Sequence, residues 1–553
     1  MPEKAHYMAT RTDTMEKEPP MEAFRFLPNN TNPNWIKDRG LRKLNMGIVF
    51  MFSTSCSAGY IGNLVNSLLV LPEFGAVIGG LDPNIVGLII AATSLGALVS
   101  FAPASYIADT FGRKMCVFVG SSIVIVGAIV QTAVKNNWAF FGTRVLSGIG
   151  MGIAQTAAPL LATEIAHPRQ RQTATALYNA SWCLGAIGSA AITYATIGVT
   201  NSWSWRVPCL LQMSYPLFQI LGLLMFVPES PRWLVSKGRK DEALAILGEY
   251  HANGETNDEL VQYEYRLICD TITAEKTNTT NWSSFFSSKG NMHRLAICVL
   301  VGLMQEWAGN GLLSYYLVPI LGSVGITKAS NQAAVNVSLN AWNFLLAAAG
   351  ALASERYGRR ILWLISTVAM IVFLSMSTLA AGLFAERNLP AAGIAVVPLL
   401  FLFFGAYDIA YAPLFVSYPA EILPFQLRAK GIAVTLSVDA VACFFNQYVN
   451  PVAFTAIAWK YYCVFLGCLV VFLIHIYFLF PETKGRSLEE VAVIFDKEEE
   501  LEGEITTRCP THCNFSYLQL SFVVYIYLYS LLDSNNITGL VRVKKKKRPI
   551  YYS

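Results

Sequence analysis

Twelve apolar segments divide the chain, at about 45–70, 84–108, 115–134, 138–163, 172–196, 206–227, 293–320, 331–354, 361–384, 391–419, 430–457 and 461–480. Each is near the roughly 20 residues that a helix needs to cross a bilayer core, so the pattern predicts twelve membrane-crossing helices. Lys and Arg collect in alternate short loops: Arg113 and Lys114, Arg169 and Arg171, Arg356 with Arg359 and Arg360, Arg428 and Lys430. The loops between them hold one basic residue each at most, Lys135, Arg206, Lys328, Arg387 and Lys460. Basic loops are retained on the cytoplasmic side, which places both ends of the twelve-span core in the cytosol.

The seventh segment breaks the apolar rule at mid-depth, in the stretch Met304 to Tyr316, MQEWAGNGLLSYY. Gln305, Glu306 and Asn310 have no use against lipid, where each unpaired polar group costs several kcal/mol. At 100° per residue, positions 305, 306, 309 and 310 share an arc of roughly 140°, so one flank of the helix is polar. Gly309 and Gly311 make the same turn easy to unwind. A weakened helix with polar groups at the midplane suits the binding site of an alternating-access transporter; the competing reading is that the amides hold two helices together.

A polar stretch from Pro228 to Met292, opening PESPRWL and continuing with the helix-forming DEALAILGEY, separates spans six and seven. The two sides of it repeat. Asp109-Thr-Phe-Gly-Arg-Lys114 is answered 246 residues later by Glu355-Arg-Tyr-Gly-Arg-Arg360. Glu164 with Arg169 is answered after 257 residues by Glu421 with Arg428, and Pro228-Glu-Ser-Pro after 253 by Pro481-Glu-Thr-Lys. Three matches at nearly one offset mean a duplicated six-span unit. The fold expected is therefore an all-α polytopic membrane protein of twelve transmembrane helices in two pseudo-symmetric halves. Its parts are a mobile cytosolic tail (1–44), a first half (45–227), a cytosolic loop with short helices (228–292), a second half (293–480) and a cytosolic tail (481–553).

Composition agrees: 54% of the residues are apolar and only 14% charged, against about 25% in a soluble domain. The net charge of +5 is dealt into short loops, which argues against a nucleic-acid surface. Eleven scattered cysteines show no metal or disulfide spacing, and the first 44 residues show no signal peptide, so the first span is expected to direct insertion. No Ser-His-acid, metal or phosphate-cradle constellation points to an enzyme or a cofactor.

PESPRWL at 228–234, PETKGRSLEE at 481–490 and the acid-x-x-Gly-Arg-Lys/Arg loops together resemble the sugar porter family of the major facilitator superfamily, over about residues 45–495. The phrases GNGLLSYYL, YPAEILPFQLRAKG and FFNQYVNP resemble its fungal lactose-permease-like and hexose-transporter branch. That resemblance implies a transporter of a mono- or disaccharide, working as a monomer in the plasma membrane by rocking its halves. It implies a cytosolic gate of ion pairs between the halves, made by Asp109, Arg113, Glu164, Arg169, Glu355, Arg359, Glu421 and Arg428. It also implies a sugar site of Asn179, Gln305, Glu306, Asn310, Tyr315, Tyr316, Asn343 and Asp439. Val416 stands where many members have a Trp, with Tyr407, Tyr411 and Tyr418 as substitutes.

The chain departs from the family at the proton-coupling pair. Arg144 is kept, but the acid expected in span one is replaced by Ile61, within Gly59-Tyr60-Ile61. Glu306, with Asp439, is expected to take over charge balance and proton exchange, and Asp408 is a third candidate acid; the alternatives are a facilitative carrier and a non-transporting sugar sensor. The apolar segment 513–532, followed by Lys544 to Arg548, is foreign to the family and is expected to be interfacial or without an evolved role.

Overall fold

The computed structural model describes residues 27–32, 34–77, 82–277, 282–315, 317–387, 389–484 and 494–495. Tyr316, the segment 513–532 and the basic run 544–548 lie outside the described residues.

The first half contains α1 (Arg39–Leu68), the short α2 (Pro72–Val77), α3 (Pro83–Phe111), α4 (Arg113–Ala133), α5 (Asn137–Ile165) and α6 (Arg171–Thr196). Its sixth span is broken into α7 (Trp203–Leu211) and α8 (Ser214–Met225). Between the halves lie α9 (Pro231–Ser236), α10 (Lys240–His251) and α11 (Glu259–Thr277). The second half begins with a span in three pieces, α12 (Lys289–Trp307), α13 (Asn310–Tyr315) and α14 (Leu317–Ser323). It continues with α15 (Ala329–Tyr357), α16 (Arg359–Arg387), α17 (Pro390–Ile422), α18 (Phe425–Ile457) and α19 (Tyr462–Leu479). All twelve expected spans are helical, with ends within a few residues of the hydropathy pattern.

By length and composition alone, nine helical stretches among the described residues could cross a membrane. The count is lower because α18 and α19 merge into one stretch, and because α6 and α15, some of whose side chains lie outside those described, are not among the nine. Those two helices are polar for a structural reason: α6 packs along α15, and α3 along α18, so together they form the seam between the halves. Within the first half, α1 and α6 come close enough that a Cβ at Gly59 would overlap the Trp182 carbonyl oxygen, and one at Gly185 that of Cys56. Only glycine admits that approach.

Of the expected tail 1–44, residues 27–32 and 34–44 are described, and α1 begins at Arg39 within it. Asp38 caps α1 by accepting from the Leu41 amide at 2.9 Å, and the stretch before it is tied to the inter-half helices. Asn29 Nδ2 donates to the His251 carbonyl at 2.9 Å, the Asn30 amide donates to Asp258 at 2.8 Å, and Arg169 reaches the Leu27 carbonyl at 2.7 Å. Beneath this layer is a buried ionic cluster. His251 Nδ1 meets Glu264 at 2.7 Å, its Nε2 meets the Ile165 carbonyl at 3.1 Å, and Arg171 donates to Glu264 at 3.0 Å. His167 stacks edge-on against His251 with ring centroids 5.2 Å apart. Burial pushes the His167 imidazole down to about 3, helped by His251 and the nearby arginines. The cluster pins α10 and α11 to the end of the first half that carries Arg113 and Arg169.

Candidate functional site

The helices that line the seam bring together polar residues from both halves. A cleft is bounded by Gly62 and Asn63 of α1, Trp182 of α6, Ser314 of α13, Leu317 of α14, and Asn336, Leu339, Asn340 and Asn343 of α15. The asparagines follow helical spacing, i, i+4 and i+7, so one face of α15 is an amide stripe. Of these only Asn343 was expected; that spacing was the available signal for Asn336 and Asn340.

The seam is closed at the end away from the basic loops. Asn336 Nδ2 donates to Ser67 Oγ at 3.0 Å, and Ser67 lies 3.4 Å from Ser189 Oγ, all three buried. Near mid-depth, Ser94 of α3 donates to Gln447 of α18 at 2.7 Å. Towards the basic-loop end, Asn179 of α6 is exposed, two turns into its helix.

The span carrying the mid-membrane polar groups does unwind where the glycines are. α12 stops at Trp307, Gly309 takes φ +102°, and α13 starts at Asn310. The free Glu306 carbonyl this creates accepts from Asn446 Nδ2 at 2.8 Å, and the Gln305 carbonyl accepts from Tyr407 Oη at 3.0 Å. Gln305 Oε1 and Asn310 Oδ1 are sealed from solvent and meet no donor.

Three carboxylates gather behind this break. Glu306 lies beside Asn446 and Cys443 of α18 and within Coulombic reach of Asp439. Asp408 of α17 accepts from the Asn343 amide at 3.2 Å, once that amide is oriented so that its NH2 also donates to the Leu339 carbonyl at 3.1 Å. Tyr407 feels all three acids and stacks on Tyr411, ring centroids 5.2 Å apart. Tyr418 is elsewhere: it donates to the Pro481 carbonyl at 2.8 Å and stacks on Phe480. Of the three substitutes for the missing Trp, Tyr407 and Tyr411 stand with the acids and Tyr418 does not.

Arg144, buried in α5, donates to the Ile61 carbonyl at 3.0 Å. The backbone at the position of the missing acid thus supplies an acceptor for it. The surroundings of Glu306 are instead α17 and α18.

At the basic-loop end, Arg113 and Arg359 each make ion pairs within their own half among the described residues. In the first half Arg113 meets Asp109 at 3.2 Å and Glu164 at 3.8 Å, and Ser230 donates to Glu164. In the second, Arg359 meets Glu421 at 2.9 Å and Thr483 donates to Glu421 at 2.6 Å. Arg428 donates to the Leu423 carbonyl at 3.5 Å, and Arg169 is engaged by the N-terminal segment. Glu355 belongs to the last turn of α15.

The repeated PES and PET motifs have a role that their spacing did not disclose. Glu229 accepts from the Arg113 and Lys114 amides at 3.1 and 3.2 Å, capping α4. Glu482 accepts from the Arg359 and Arg360 amides at 2.9 and 3.2 Å, capping α16. Each carboxylate sits on a helix N-terminus whose preceding glycine has positive φ, Gly112 at +103° and Gly358 at +97°. Burial raises the Glu229 carboxyl above its ordinary range, against the pull of those backbone donors.

Comparison with known proteins agrees with this geometry. A family model described as "Sugar (and other) transporter" matches residues 48–495. The low-affinity glucose transporter HXT4 of Saccharomyces cerevisiae (strain JAY291) is 30% identical over 74% of this chain and 72% of its own length. Hexose transporter 2 of Kluyveromyces lactis is 30% identical over 82% of this chain and 81% of its own. Among solved structures, the inward open conformation of the xylose transporter XylE from E. coli superposes with a TM-score of 0.68 at 18% identity, covering 82% of this chain and 99% of that one. That likeness shows the fold, with its two six-helix halves.

Proposed function

Because this chain belongs to the Sugar (and other) transporter family, we propose that it carries a mono- or disaccharide across the plasma membrane by alternating access, together with a proton held between Glu306 and Asp439. The carrying observation is that pair: a buried Glu306 and a half-buried Asp439 in reach of each other at mid-depth, each with an oxygen that meets no donor. Two acids so placed share a proton more readily than they both ionise. A proton taken up from one side is released when the site opens to the other.

Sugar hydroxyls exchange their water hydrogen bonds for the amides of Asn179, Gln305, Asn310 and Asn343, with Tyr315 and Tyr316 closing from outside. The relatives named for glucose and hexose make a hexose the first substrate to try. With Arg113, Arg169 and Arg359 in the cytosol, the seam is closed outside and Asn179 faces inward, so the state described is inward-facing. The capped, ion-paired groups at the cytosolic end move as units with their halves, and the gate is then the approach of the two units. A facilitative carrier is the second reading, favoured by the Arg144 bond to the Ile61 carbonyl, which gives that guanidinium an acceptor at the position of the missing acid.

The test is uptake of a panel of labelled sugars by cells lacking their own hexose carriers, with and without a protonophore. Accumulation that collapses with the protonophore supports coupling. Uptake that only equilibrates, and ignores the protonophore, rejects it in favour of the facilitator.

A further inference from the structure

The acids behind the helix break carry more negative charge than one proton neutralises, and the described helices that hold and flank them bring no Lys or Arg close. α17 contains no Lys or Arg. The basic residues of α12 are Lys289 and Arg294, and the nearer lies twelve residues, about 18 Å, from Glu306. Those of α18 are Arg428 and Lys430, the nearer nine residues, about 13 Å, from Asp439. Neither α13 nor α19 has a Lys or Arg. The titratable neighbours are Tyr407, Cys443 and Asp408, none of them a cation at neutral pH.

Glu306 is 8% exposed and its Oε2 has no donor; Asp439 Oδ1 has none either. Next to them, the carbonyl oxygens of Gln305 and Asn310 are also unanswered. The atoms of Gln305, Glu306, Asn310 and Asp439 that meet no donor are acceptors, and beside them stand Tyr407 stacked on Tyr411 and Trp307 6.1 Å from Phe445. Acceptors, carboxylates and ring faces together match one ligand chemistry, an alkylammonium group, which offers three N–H donors and a positive charge.

We propose that this site takes amino sugars, with the substrate ammonium bound between Glu306 and Asp439 in place of the proton that accompanies a neutral sugar. This rests on the transport reading and deepens it: a neutral sugar travels with a proton, whereas an ammonium sugar carries its own charge and leaves no room for one. Carboxylates that bear a proton for the one substrate are ionised for the other, and the net charge moved is the same.

The test is equilibrium binding of glucosamine, glucose and N-acetylglucosamine to the full-length protein in nanodiscs at pH 6, alongside uptake of each in vesicles. Glucosamine is expected to bind about tenfold or more tighter than glucose and N-acetylglucosamine, and Glu306→Gln or Asp439→Asn should bring it to the level of glucose. Equal affinities, no glucosamine binding, or a preference that survives both substitutions overturns the assignment, whatever the uptake shows. Failure of every sugar to enter vesicles strikes the transport reading instead, and the binding preference still decides the ligand class.

Discussion

Replacing Ser67 by Ala removes the acceptor that holds Asn336 across the closed end of the seam at 3.0 Å, and with it the neighbour of Ser189 at 3.4 Å. Ser67 and Asn336 are each at most 2% exposed, so no water takes the place of the lost hydroxyl while that end stays shut. A buried donor left unsatisfied costs about 1–3 kcal/mol. When the end opens, water reaches Asn336 and the penalty disappears. The cost therefore falls on one state only, and the equilibrium moves toward the state open at that end by about 5- to 150-fold. Leu339, 3% exposed on the cleft wall, is the reporter. In Leu339→Cys protein, the rate of alkylation by an impermeant maleimide added outside should rise by a comparable factor when Ser67→Ala is introduced. A rate unchanged within twofold would show that this contact does not hold the seam closed.

Two further outcomes follow from the geometry. Gly309→Ala forces an L-residue to φ +102° and brings its Cβ to 3.4 Å from Phe465, a strain of about 1–2 kcal/mol at the helix break; turnover should fall about tenfold with sugar binding retained, and an unchanged turnover argues against the break as a hinge. His167 has a folded value of about 3 against 6.5 for a free imidazole, so its contribution is complete above pH 6.5 and is lost progressively as pH falls toward 3, about 2 kcal/mol at pH 5. Hydrogen exchange in α10 and α11 should accelerate on acidification in the wild type and much less in His167→Phe, and equal acid sensitivity in both would exonerate His167.

The parts of this structure that were legible from residues alone are those imposed by the bilayer. Twelve spans follow from segment length, and the break at Gly309 from two glycines set among polar groups at mid-depth. The doubled motifs disclosed a duplicated unit. What they did there needed three dimensions, because Glu229 lies 116 residues from the Arg113 amide it accepts from, and Glu482 lies 123 from that of Arg359. Ion pairing within halves was hidden for the same reason: charge type and spacing are identical whether an arginine turns to its own half or to the other. The docking of residues 27–38 on α10 and α11 rests on scattered Asn and Asp side chains with no periodicity to read. Asn336 and Asn340 do carry a helical spacing with Asn343, a weaker signal than the polar groups of span seven.

The central claim is that Glu306 and Asp439 couple a proton to sugar movement. Proteoliposomes give the direct measurement: accumulation of labelled hexose under an imposed pH gradient, and sugar counterflow without one, for wild type, Glu306→Gln and Asp439→Asn. The account predicts accumulation by the wild type only, with counterflow persisting in Glu306→Gln because the sugar still exchanges. Accumulation by Glu306→Gln equal to that of the wild type would contradict it.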